Sequence, residues 1–98
     1  MSKIRCRFRI LGTDRIFEVE GQEARTLIAL HCAGDKGITA LEVSTWALRL
    51  AHYVMKLKRL GLSIDMVREK HSGPAPGWHG RYFLRSGIQF LEQTRRAA

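Results

Sequence analysis

This sequence predicts an α+β fold in which a centre of three helices lies between an N-terminal and a C-terminal β-hairpin. Three observations carry the prediction. Residues 3–10 alternate polar with apolar at the period of a strand and are matched by a facing run at 16–20, and residues 22–60 carry apolar positions at helical spacing, interrupted by glycine. A second pair of strand-like segments follows, separated by a loop that holds both prolines of the chain. At 98 residues and 45 % hydrophobic content, the chain fits one domain able to bury a core without disulfides or metals. Its expected parts are the hairpin 1–20, a core 22–86 and a tail 87–98.

In the run Lys3-Ile4-Arg5-Cys6-Arg7-Phe8-Arg9-Ile10, the apolar residues share one face of a strand and the arginines the other. A two-residue turn at Gly12-Thr13 sets Phe8 opposite Phe17, Cys6 opposite Val19, Arg7 opposite Glu18 and Arg5 opposite Glu20. These cross-strand partners favour a neutralised solvent face over a phosphate-binding ribbon. Arg9, facing Ile16, stays unpaired. Cys6 and Cys32 lack metal-ligand spacing and read as free thiols, small buried hydrophobes.

Gln22 to Ala33 forms the first helix, with Ala24, Leu27, Ile28 and His31 on its apolar side and Gly34 at its C-terminus. His31 therefore reads as a core histidine. The segment Ile38-Thr39-Ala40-Leu41-Glu42-Val43 spells a capping box, in which Thr39 and Glu42 exchange hydrogen bonds and Ile38 staples onto Val43, so a short second helix starts at Thr39. Ser44 and Thr45 then cap a third helix running from Trp46 to Leu60, with neither Gly nor Pro inside it. Its inner stripe is Leu50, Val54 and Leu57 with Ala47, Ala51 and Leu60, and Leu60-Gly61-Leu62 ends it as Leu62 folds back onto Leu57.

The opposite stripe carries Arg49, His52, Tyr53, Lys56 and Arg59 and no acid. A solvated helix face normally interleaves both signs, so helix stability does not ask for this pattern. Charge is also unevenly spread along the chain. Positions 1–48 hold seven basic residues against six acids and positions 49–98 ten against three, so the second half supplies nearly all of the net charge of +8. A polyanion is the partner such an imbalance fits.

Ser63 to Glu69 reads as a strand and Arg81 to Arg85 as its return, with His71 to Gly80 as an extended loop between them. The segment Gly87 to Gln93 is either a short helix or a strand packing Ile88, Phe90 or Leu91 on the domain, and Thr94 to Ala98 should fray.

The order of helix, capped short helix, long basic helix, strand, glycine-rich loop and strand resembles the winged helix-turn-helix family over about Gln22 to Ser86. The likeness is strongest in Gly37-Ile38-Thr39-Ala40-Leu41-Glu42 and in Arg59-Leu60-Gly61-Leu62-Ser63-Ile64, and it looks like the small bacterial and phage subgroup. The resemblance implies that the third helix, with Arg49, His52, Tyr53 and Lys56, enters the major groove of double-stranded DNA. Trp78, His79 and Arg81 of the wing then approach a neighbouring groove or the backbone. Thr45, Lys58 and Arg59 complete the expected contact set. Trp78 either stacks on sugar or anchors the loop, and the N-terminal hairpin either completes the sheet or builds a homodimer interface. The implied setting is a transcriptional regulator or an accessory factor of a phage or mobile element.

No phosphate loop, nucleophile elbow or paired-carboxylate arrangement is present, so no enzyme activity, cofactor or small-molecule substrate is expected. His52, His71 and His79 lack the spacing of a zinc site. The alternative to DNA binding is a protein-interaction module that docks an acidic partner. RNA binding ranks lower because the aromatics form no paired stacking platform. Membrane association ranks lower still, because the basic stripe sits on a helix whose apolar face the core needs; no stretch nears the ~18 apolar residues of a span, and the cytoplasm, at the nucleoid, is the expected location.

Overall fold

A computed structural model describes residues 4–43, 49–71 and 77–95, with the backbone alone at 71, 78 and 93–95. In chain order it contains β1 (Ile4–Ile10), β2 (Ile16–Glu20), α1 (Gln22–Ala33), a 3-10 turn (Gly34–Lys36), β3 (Ile38–Thr39), α2 (Leu50–Arg59), β4 (Ile64–His71), β5 (Gly77–Leu84) and β6 (Ile88–Arg95). The strands form two antiparallel three-stranded sheets, in the orders β2-β1-β6 and β3-β5-β4.

The first hairpin adopts the register that alternation demanded, from Arg5 opposite Glu20 to Arg9 opposite Ile16. Its connection is wider than a two-residue turn. Ile10 N donates to Arg15 O at 3.1 Å, Gly12 takes φ 84, and Thr13 closes the loop by donating to Ile10 O from both its amide and its hydroxyl. Cys6, Phe8 and Ile10 are buried, while Arg5, Arg7 and Arg9 line the outer face. The tail resolves in favour of a strand, and it runs to Arg95 rather than fraying from Thr94. β6 lies on the other side of β1, placing Glu92 opposite Arg7 and Gln89 opposite Arg9, with a bulge between Arg7 and Phe8. Arg9, expected to be unpaired, donates to Gln89 Oε1 at 2.7 Å.

One apolar cluster joins the inner face of the first sheet to Ala24, Leu27 and Leu30 of α1, Leu50, Val54 and Leu57 of α2, and Ile38, Val43, Leu62, Ile64 and Ile88. The buried face of α1 is thus 24-27-30, and Ile28 is only half-buried. His31 and Cys32, expected in the core, are exposed; the His31 ring meets the edge of Phe90 with centroids 5.0 Å apart. Cys6 is buried, and burial pushes its thiol up to about 11, so it remains a protonated, unreactive filler at neutral pH.

The three-helix core is not what forms. The described residues contain two α-helices, and at the expected second helix there is a two-residue strand followed by a turn over residues 40–43. The capping box is nonetheless made: Thr39 N donates to Glu42 Oε1 at 3.0 Å and Glu42 N to Thr39 Oγ1 at 3.2 Å. Thr39 is held extended because β3 pairs with β5, through Ile38 opposite Tyr82 and Thr39 opposite Arg81, so tertiary pairing overrides the local helix signal up to the cap. Gly37, at φ 65, makes that pairing possible, since a Cβ there would lie 2.6 Å from Tyr82 O. Ser44, Thr45, Trp46 and Ala47 lie outside the described residues.

Candidate nucleic-acid interface

Periodicity fixes how α2 sits. Leu50, Val54 and Leu57 point into the core as expected, which turns His52, Met55, Lys56 and Arg59 outward. Ala51, placed in the inner stripe by spacing alone, is instead exposed. The helix stops where Gly61 takes φ 106 and its amide donates to Lys58 O at 3.0 Å, after which Leu62 enters the core. Ala51, Val54, Met55, Lys58 and Arg59 form one wall of an open groove of about 420 Å³; Met66 of β4 and Tyr82 of β5 form the other.

Strand alternation then sorts the charges of β4. Met66, Arg68 and Lys70 share the face that looks into this groove, whereas Asp65, Val67 and Glu69 share the opposite one. The two acids are consumed on that far face. Asp65 accepts from Arg85 Nε at 2.9 Å, and Glu69 accepts from Arg81 Nε at 2.8 Å and His79 Nε2 at 2.9 Å. Both donors hold the Glu69 carboxyl below its ordinary value, the Arg81 bond contributing most. Arg81 also reaches Lys36 O at 3.0 Å and Glu42 Oε1 at 3.3 Å, and these carboxylates hold its guanidinium still more firmly protonated. One guanidinium therefore ties the wing to the capping box and to the turn after α1.

The expected contact residues divide accordingly. Arg49 lies exposed at the start of α2, and Lys58 and Arg59 stand on the groove wall. His52 and Tyr53 are half-buried with ring centroids 5.4 Å apart, and Tyr53 packs against the core. Lys56 is bound to Glu23 of α1 at 2.6 Å, so the stripe does meet an acid, supplied by another helix. His79 and Arg81 are engaged by Glu69 on the far face. Trp78 and His79, expected in the loop, belong to β5, because the hairpin strands extend to His71 and from Gly77; the Trp78 side chain and Thr45 lie outside what is described.

Arg68, Lys70 and Met55 join the site without having been singled out by sequence. Alternation within 64–71 was the signal for the first two, since Met66, Arg68 and Lys70 are two apart. Among the described residues no carboxylate pairs with Arg49, Lys58, Arg59, Arg68 or Lys70. The outer face of the first sheet differs, because its arginines face Glu18, Glu20 and Glu92. Among the described residues no three His, Cys, Asp or Glu side chains converge as a metal site, and no helix is long and apolar enough to cross a membrane.

A family model described as a winged helix domain matches residues 16–94, from the start of β2 to Thr94 within β6. The search of curated proteins and that of solved structures gave no match. Winged helix domains are typically DNA-binding modules without chemistry of their own. The match spans α1, β3, the capped turn, α2 and the β4–β5 hairpin, whose sheet order β3-β5-β4 sets the return strand of the wing between the other two. The chain belongs to the winged helix domain family.

Proposed function

We propose that this protein binds double-stranded DNA with sequence preference, α2 entering the major groove and the β4–β5 wing following the adjacent backbone, in a regulatory or mobile-element accessory role. The observation that carries the reading is the sorting of charge. Lys58 and Arg59 line the groove, and Arg68 and Lys70 continue beyond it on the Met66 face of β4, none of them with a carboxylate partner among the described residues. The acids of the same strand are turned to the far face and neutralised there.

Phosphate oxygens satisfy such side chains and release counterions, which supplies affinity; base edges read from α2 supply preference. Arg49, exposed at the helix start, is placed to reach a base edge, and His52 lies one turn further on the outward side. Lys56, His79 and Arg81 serve chiefly to hold the scaffold: Lys56 fixes α2 against α1, and Arg81 fixes the wing to the capping box.

The test is a fluorescence-anisotropy titration of the full chain with random-sequence duplex across a salt series. Binding that weakens steeply with salt supports the proposal. Absence of binding at low salt overturns it and makes docking of an acidic protein partner the reading to pursue.

A further inference from the structure

The middle of the cationic face carries no charge. Met55 is 49 % exposed and Met66 52 %, and with Ala51, Val54 and Tyr82 they form the apolar part of the two walls of the groove between α2 and the wing. Packing does not require Met55 there, because the inward stripe of α2 is complete with Leu50, Val54 and Leu57. An apolar lining flanked by Lys58 and Arg59 on α2, with Arg68 and Lys70 beyond it on β4, matches a ligand that is apolar at its centre and anionic along its edges. The major groove at an A·T pair has that form: the thymine C5-methyl is an apolar group on a base edge, flanked by rows of phosphate.

Resting on the DNA-binding reading, we infer that Met55 reads the thymine methyl, so that the protein prefers sites with thymine beneath the middle of α2. Met55 stands at mid-helix on the outward side, and Ala51, one turn earlier, is small enough to let the helix approach the base edges closely. Arg59 Nη2 donates to Met55 Sδ at 3.5 Å, which couples the methyl-reading side chain to a cation on the groove wall. An acidic amphipathic peptide shares the apolar-and-anionic pattern. The cations, however, continue past the groove along β4 through Arg68 and Lys70, as the rail of a nucleic-acid backbone does.

The experiment measures affinity of the full chain for three short duplexes: alternating dA-dT, alternating dA-dU, which differs only in lacking the methyl, and alternating dG-dC. The wild type is expected to bind dA-dT more tightly than dA-dU, by about fourfold for each methyl contacted. Met55→Gln, a substitution at a half-exposed position, should bind the two equally with an unchanged salt slope and an unchanged circular dichroism spectrum. Equal wild-type affinity for dA-dT and dA-dU overturns the methyl reading while leaving DNA binding intact. A preference that survives Met55→Gln overturns the assignment to Met55. If none of the duplexes is bound at low salt, DNA binding fails and the inference fails with it.

Discussion

Replacing Arg68 and Lys70 together by Ala isolates the contribution of the wing to DNA affinity. Four cations lie on this side of the protein, Lys58 and Arg59 lining the groove and Arg68 and Lys70 beyond it along β4. If each neutralises one phosphate, the log-log dependence of affinity on salt has a slope of about −3.6, since each contributes about 0.9. A fourfold rise in salt, from 50 to 200 mM, then weakens wild-type binding about 150-fold. Removing the two strand cations halves the slope to about −1.8, and the same rise weakens binding only about 12-fold. Both side chains are exposed, so melting should be unaffected. Anisotropy titrations at four or five salt concentrations give the slopes directly. The matched control is Arg5→Ala with Arg7→Ala, which removes the same formal charge from the outer face of the first sheet, where glutamates already face the arginines. A slope that is the same in the wing variant as in the wild type, or one reduced equally by the control, would refute a phosphate path along β4 and leave only diffuse attraction by net charge.

Three further outcomes test the framework beneath that surface. Gly37→Ala faces both a φ of 65 and a Cβ 2.6 Å from Tyr82 O, for a loss of about 2–5 kcal/mol in urea unfolding; Gly12→Ala, with φ 84 but nothing within 4 Å, should lose only about 1 kcal/mol, and equal losses would show that the approach of β3 to β5 is not tight. Leu57→Ala empties a fully buried position shared by both helices, at about 3 kcal/mol and a fall in Tm of roughly 12–24 °C by calorimetry. Because the Glu69 carboxyl is held below its ordinary value of 4.5 when folded, its contribution to stability is present above that value and lost as pH falls through the folded value; Glu69→Gln should flatten that acid limb of a stability-against-pH curve, and a limb unchanged by the substitution would mean that Arg81 and His79 do not hold the carboxylate.

What sequence made legible was local. The hairpin register followed from strict alternation in residues 3–10 and the agreement of both faces with the facing strand, because a one-residue slip would have put Cys6 and Phe8 in water. The inward stripe of α2 followed from three-and-four spacing. Features depending on distant parts of the chain were hidden. Thr39 and Glu42 make their capping box, yet β5 holds Thr39 extended, and nothing near Thr39 announces that strand. Lys56 looked like part of an acid-free stripe because Glu23 lies on another helix. His79 looked available because its pairing with Glu69 requires the return strand to begin at Gly77, nearer the loop tip than the apolar pattern indicated. Arg68 and Lys70 are marked in sequence only by their two-residue spacing from Met66, a weaker signal than the aromatic and glycine residues of the loop.

The pairing of β1 with β6 reaches beyond the static architecture. Arg9 and Gln89 touch across 80 positions of sequence, whereas α1, α2 and the β4–β5 hairpin are each built from near neighbours. Contacts that close so long a loop slow folding, because the chain must be ordered before they reward it. During synthesis, the central strand of the first sheet keeps one edge open until residues 88–95 have left the ribosome, although the wing and both helices are already complete. The sheet bearing none of the groove cations is therefore the last to close.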